Sequence, residues 1–142
     1  VVYNLIYSAS STYLGSLSDR IGRKPLLIVG LFLFSLIYLL FGFADSGWHY
    51  WIIFIFYGLY MAMTDGVSKA YIVDLTNSEN KATVLGFFAM ISGFATILAS
   101  CFFGYLWDHF GASISFTFSA TLACVAGLIL LGYSLLNKAR WV

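Results

Sequence analysis

Four continuous apolar runs, residues 26–44, 51–73, 84–107 and 114–136, dominate the chain, and short polar gaps separate them. Each run is long enough to carry a helix through a hydrocarbon core about 30 Å thick. A fifth stretch, residues 1–17, is apolar at both ends but carries Asn4, Ser8, Ser10, Ser11 and Thr12 between them. It fails a strict hydropathy window. It still reads as a spanning helix, because polar side chains are tolerated in lipid when they face a bundle interior or an aqueous cavity. Continuous apolar runs of this length cannot be lipid-exposed strands unless a barrel closes. The predicted fold class is an all-α integral membrane protein with five transmembrane helices.

The gaps are punctuated in ways that suit helix ends. The first, residues 18–25, is a compact basic turn ending in Pro25, whose missing N–H suits the first position of a helix. The second, residues 45–50, is flanked by Trp48, Tyr50 and Trp51, rings that favour the membrane interface. The third, residues 74–81, offers Ser78 or Asn80 as a cap for the next helix. The fourth, residues 108–113, is bordered by Trp107. Gaps this short predict antiparallel neighbours.

Charge then orients the bundle. All seven Lys and Arg residues fall on one side of the membrane that the runs define. Arg20, Arg23 and Lys24 share the first gap, Lys81 the third, and Lys138 and Arg140 the C-terminus; Lys69 lies near the end of a run that reaches the same side. The other gaps hold Asp45 with His49 and Asp108 with His109, and no strong base. Positive charge is retained on the cytoplasmic side during insertion. The C-terminus is therefore expected in the cytoplasm, and Val1 outside.

Composition agrees and narrows the function classes. Hydrophobic residues reach 61% and charged residues only 9%, which excludes an ordinary soluble domain. The few bases form no stripe interleaved with aromatics, so no nucleic-acid partner is expected. Cys101 and Cys124 lie inside spans and read as small packing residues. His49 and His109 sit on different gaps without metal-ligand spacing, and neither a metal nor a cofactor is expected. Ser68 and Lys69 are adjacent, so their side chains diverge around a helix and make a poor nucleophile–base pair. No phosphate-cradling glycine loop is present, and the chain is not read as an enzyme. It opens mid-helix without Met, so a fragment is expected.

The first gap carries the most specific signal. Gly15-Ser16-Leu17-Ser18-Asp19-Arg20-Ile21-Gly22-Arg23-Lys24 resembles the signature loop of the major facilitator superfamily, Gly-x-Leu-x-Asp-Arg-x-Gly-Arg-Arg/Lys, at every specified position. Its physics is readable without the name. Gly15 would let a neighbouring backbone approach, and Gly22 would let the chain turn tightly. Asp19 would accept hydrogen bonds at a helix N-terminus. Arg20, Arg23 and Lys24 would fix orientation and pair with Asp74 or Glu79. In that family the loop joins helices two and three and, in weaker form, eight and nine. The second placement fits better: residues 51–73 lack the Arg pattern of a fourth helix, and residues 84–107 lack the Gly-Pro pattern of a fifth. Residues 104–111, Gly-Tyr-Leu-Trp-Asp-His-Phe-Gly, are similar to the end of an eleventh helix. The resemblance implies helices eight to twelve of a six-helix C-terminal bundle, with a missing N-terminal half as partner.

Candidate working residues follow. Asp65 lies about 13 Å along its helix from Asp74. An ionisable group at that depth faces a cavity or a partner. It serves either proton or substrate coupling, or a local ion pair with Lys69 one turn on; the pair is the favoured reading, because both partners are present. Tyr57, Thr64, Ser68 and Lys69 complete a polar arc that either lines a path or only hydrogen-bonds the bundle. Asn4, Tyr7, Ser8 and Ser11 recur at three and four residues as a second candidate stripe. Ser92, Thr96, Ser100 and Gly104 recur every four residues and read first as a close-packing face.

The resemblance implies secondary active transport of a small molecule by alternating access, within a plasma or bacterial inner membrane and with protons as a possible co-substrate. Gly15, Asp19, Arg20, Gly22, Arg23, Lys24 and Asp74 would form a conformational latch on the cytoplasmic side. The alternative is a truncated membrane module without transport activity of its own. An intramembrane enzyme is remote, since Asp65 would be its lone acid.

Overall fold

The computed structural model describes residues 2–44 and 46–138, apart from the side chains of Ser78, Asn137 and Lys138. Expectations placed on Val1, Asp45, Arg140 and the Lys138 side chain lie outside the described residues. Five α-helices follow one another: α1 (Val2–Ile21), α2 (Arg23–Gly42), α3 (Gly47–Asp74), α4 (Lys81–Phe110) and α5 (Ala112–Lys138). A single 3-10 turn, Ser78–Asn80, precedes α4. No strand occurs among the described residues. The four helices α2 to α5 are each long and apolar enough to cross a membrane, and α1 falls short on hydropathy.

The helices outrun the apolar runs that announced them. Hydropathy marks where lipid ends, whereas a helix stops only where its backbone is forced out of register. The first gap shrinks to Gly22, whose φ of 100° turns the chain, and the fourth to Gly111 at φ 86°. Ser18, Asp19 and Arg20, expected in a loop, form the last turns of α1. Pro25 takes the third position of α2 rather than the first. It still sits in the opening turn, where no N–H partner exists to lose. Asn80 stands at the N-cap of α4 but makes no side-chain capping bond there.

Successive helices run antiparallel. The α2–α3 seam is marked by Gly30 against Met63 and Thr64, and by Phe34 tilted against Tyr60 with ring centroids 4.8 Å apart. The α2–α5 seam runs from Gly42 beside Ser113 and Thr117 to Gly127 beside Leu31 and Phe32. Midway along it the buried Ser35 hydroxyl donates to the Ala120 carbonyl at 2.7 Å. α1 and α3 instead lie parallel. Tyr3, near the start of α1, packs edge-on to Tyr57, three turns into α3, and both helices end at the same cluster of charges.

Leu14, Leu26, Ala62, Met63 and Val67 form the apolar core where α1, α2 and α3 converge. At the non-basic end, Phe116 of α5 contacts Tyr38, Phe41, Phe103 and Trp107 and so links α2 to α4. α4 is the outlying element, with no buried residue among those described.

The small-residue column of α4 departs from its expected role. A Cβ on Gly93 or Gly104 would meet nothing within 4 Å. The tight crossing lies elsewhere, at Gly58 of α3, where a Cβ would sit 2.6 Å from the Tyr3 carbonyl oxygen and 2.9 Å from Ile6 Cβ. Gly15, expected to permit such an approach, likewise has nothing within 4 Å of its notional Cβ.

Candidate functional site

Two groups of polar side chains stand out, one at the basic end and one inside α3. The first is built by the break at Gly22. The two helices it joins leave Asp19 and Arg23 one turn apart, and Arg23 Nη2 meets Asp19 Oδ1 at 3.1 Å. The same guanidinium turns Nη1 towards the end of α3 and meets Asp74 Oδ2 at 2.9 Å. One arginine therefore ties the ends of α1 and α3 together through two carboxylates. Its planar fork suits this double engagement better than a lysine ammonium would. Of Arg20, Arg23 and Lys24, all expected to pair with Asp74 or Glu79, Arg23 takes Asp74; Arg20 is exposed and forms no ion pair among the described residues. Asp19 takes its donor from a side chain rather than from backbone N–H groups at a helix start.

Lys24 points away from this clamp. Its ammonium lies 5.8 Å from the Tyr71 ring centroid and 5.6 Å from that of Tyr133, between α3 and α5. Such cation–π geometry holds the start of α2 against both neighbours. An open cleft of about 210 Å³ leads up from the clamp between α1 and α3, lined by Tyr7, Ser11, Gly15, Ser18, Gly66 and Ala70 among others.

The second group centres on Asp65. Lys69 Nζ donates to its Oδ1 at 2.8 Å, as the i,i+4 spacing predicted. Tyr7 of α1 donates its hydroxyl to Oδ2 at 3.0 Å. The sequence places Tyr7 and Asp65 on separate candidate stripes; their contact depends on the parallel register of α1 and α3, which spacing along one helix does not encode. Ser68 joins the group through its own backbone neighbour, donating to the Asp65 carbonyl at 3.0 Å.

The rest of the proposed arc divides. Thr64 turns to α2, where its methyl group faces Gly30, and its hydroxyl is spent on the Tyr60 carbonyl. Tyr57 packs on Tyr3 and Tyr60. On α1, Tyr7 and Ser11 face the α1–α3 cleft, whereas Asn4 and Ser8 lie on the exposed side. Two residues that sequence reasoning passes over matter in this arrangement. Gly58 sets the α1–α3 distance, and Ser35 fixes α2 to α5. A glycine flanked by Tyr57, Leu59 and Tyr60 in the α3 run is the signal that could have found the first.

Asp65, Ser68 and Lys69 also form one wall of a groove of about 410 Å³, with Leu85, Phe88, Ala89 and Ser92 of α4 as the other. Cys101 and Cys124 are free thiols, and no group of three or more metal-ligating side chains occurs among the described residues.

Comparison with known proteins assigns the family. The chain is 35% identical over 131 residues to an uncharacterized MFS-type transporter of Methanocaldococcus jannaschii, covering 92% of this chain and 33% of the relative. It is 35% identical over 107 residues to the class H tetracycline resistance protein of Pasteurella multocida, covering 75% of this chain and 26% of the relative. It is 27% identical over 119 residues to multidrug resistance protein 2 of Bacillus subtilis, covering 84% and 30%. The chain thus spans about a third or less of the length of these relatives. The sequence profile of the Major Facilitator Superfamily matches residues 1–140. With its apolar helices and this match across nearly its whole length, the chain is an integral membrane protein and belongs to the Major Facilitator Superfamily.

Proposed function

We propose that the chain is helices eight to twelve of a secondary active transporter that moves a small molecule by alternating access. The observation that carries this reading is the Arg23 clamp, in which the signature residues Asp19 and Arg23 join Asp74 across the bundle. Both carboxylates are more than half exposed, so the clamp contributes little to stability. A charged joint of low strength at one end of a rigid bundle suits a contact that is made and broken in a cycle. The names of two relatives, tetracycline resistance and multidrug resistance, support a small-molecule cargo.

In this reading the basic end faces the cytoplasm, and α1 spans the membrane beside α3. The parallel α1–α3 pairing supports the second point, since α1 keeps company with a span from Tyr3 to Asp19. Tyr7, Asp65 and Lys69 are the proposed substrate or proton coupling group, and an N-terminal six-helix half closes the opposite wall. The test is Asp19→Asn in the full-length protein, reconstituted in proteoliposomes with tetracycline as the probe. Flux should fall while membrane insertion stays intact. Unchanged flux with unchanged insertion removes the latch.

A further inference from the structure

Lys24 differs from its neighbour in the signature loop. Arg23 engages both carboxylates of the recess that the two bases share, Asp19 and Asp74. Among the described residues the Lys24 ammonium has no salt bridge and no hydrogen bond, only the Tyr71 and Tyr133 rings. A ring face attracts a cation without accepting its N–H groups in ordinary hydrogen bonds, so the charged donors stay unspent. The Tyr71 and Tyr133 hydroxyls likewise form no hydrogen bond among the described residues, and each adds a neutral donor. This group therefore carries a positive charge, no negative charge, and more donors than acceptors. The basic end around it is in surplus as well, since Arg20, Arg23, Lys24 and Lys81 outnumber Asp19, Asp74 and Glu79.

The surroundings select the kind of anion. Lys24 stands two residues before Leu26, where the apolar run of α2 begins, so its ammonium lies at the depth of the membrane interface. Tyr133 shares a face of α5 with Ile129 and Leu136, about one turn to either side. Tyr133 is 56% exposed, Ile129 68% and Leu136 76%. On an integral membrane protein such a strip is a surface for acyl chains, and here it runs up to a phenol and an unpaired ammonium. A phosphate with a hydrocarbon tail matches both parts. A free inorganic anion would use the ammonium and leave the strip uncovered.

We infer that Lys24, with the Tyr71 and Tyr133 hydroxyls, binds the phosphate of an anionic phospholipid where the start of α2 meets the ends of α3 and α5, and that an acyl chain of this lipid lies along Ile129 and Leu136. This goes beyond the proposed transport reading and holds whatever small molecule is moved. Binding displaces no existing partner. The cation–π contacts occupy the ring faces, and the N–H groups of Lys24 remain for the phosphate. The Arg23 clamp stays closed throughout, so neither Asp19 nor Asp74 loses its guanidinium. A zwitterionic choline headgroup also offers a phosphate, but it brings a second cation beside Lys24. An anionic headgroup such as phosphatidylglycerol does not, and basic pockets between helices at the cytoplasmic interface bind lipids of that class.

Native mass spectrometry of the full-length protein, released from micelles holding equal amounts of phosphatidylglycerol and phosphatidylcholine, counts the bound lipids directly. Phosphatidylglycerol should be retained over phosphatidylcholine by about tenfold, the scale of one charge-assisted contact. Lys24→Gln should abolish that preference and Lys24→Arg should keep it. Tyr133→Phe, at an exposed position, keeps the ring and removes the hydroxyl; it should weaken the preference severalfold, and it tests the site even where Lys24→Gln does not fold. Lys81→Gln, an exposed base at the same end, should leave the preference intact. Excess inorganic phosphate should not displace the lipid. The inference is overturned if the wild type shows no preference, or if Lys24→Gln or Tyr133→Phe retains it in full. It is equally overturned if Lys81→Gln removes it as completely as Lys24→Gln, which would mean general surface charge, or if inorganic phosphate displaces phosphatidylglycerol, which would mean a free-anion site. Each variant is read as a ratio of two lipids on the same protein, so lowered stability does not imitate a lost site, and no flux measurement enters.

Discussion

Arg23 Nη1 stands 2.9 Å from Asp74 Oδ2 while its Nη2 stands 3.1 Å from Asp19 Oδ1, so a single guanidinium holds the ends of α1 and α3 to the start of α2. The arrangement follows from Gly22. Its positive φ lets α2 begin one residue after α1 ends, and this brings two groups four residues apart in sequence onto adjacent turns of different helices.

Because both carboxylates are largely exposed, Arg23→Gln should lower thermal stability only slightly, by about 1 kcal/mol or less. Its effect on flux in the full-length protein should be much larger than that. Scanning fluorimetry beside a proteoliposome flux assay separates the two. A large stability loss would recast the clamp as a structural strut.

Gly58→Ala should disrupt the α1–α3 contact. The added methyl would lie 2.6 Å from a backbone oxygen that cannot yield without moving α1. Overpacking of this kind costs about 1–3 kcal/mol. Gly93→Ala, where nothing lies within 4 Å, should be neutral or slightly stabilising. Unfolding the two variants in detergent side by side provides the comparison, and equal stability would contradict the close approach of α1 to α3 at Gly58.

Ser35→Ala should destabilise the α2–α5 seam by about 0.6 to 2 kcal/mol, the range for interhelical bonds in membranes. The residue is buried and its hydroxyl reaches the Ala120 carbonyl, which keeps its own helical partner in the variant. Ser113→Ala, whose hydroxyl forms no bond across that seam among the described residues, serves as the matched control.

How far the sequence reaches is clear from these residues. The four helices α2 to α5 were legible because lipid requires every backbone group to be satisfied within its own helix, so long apolar runs have one outcome; α1, too polar for that test, was read from its apolar ends alone. The Asp65–Lys69 pair was legible for a similar reason, since i,i+4 spacing is a property of one helix. Helix ends were not. Ser18, Asp19 and Arg20 are polar and helical at once, and only the φ of Gly22 shows where α1 stops. Contacts between helices were legible only in part. Arg23 and Asp74 were expected partners because both sit at the basic end, but Tyr7 with Asp65 needed the relative height of two parallel helices. Among the described residues no neighbour closes on the small-residue column of α4, because such a column shows that an approach is permitted, not that a helix of this chain makes it.

The central claim is that these helices stand in lipid with their basic ends together on the cytoplasmic side. It is tested most directly by single cysteines in a background with Cys101 and Cys124 replaced, at Lys24, Trp48, Lys81 and Asp108. A membrane-impermeant maleimide applied to intact cells should label Trp48→Cys and Asp108→Cys, and should reach Lys24→Cys and Lys81→Cys only after lysis. Labelling of Lys24→Cys and Lys81→Cys from opposite sides of the membrane would contradict the account.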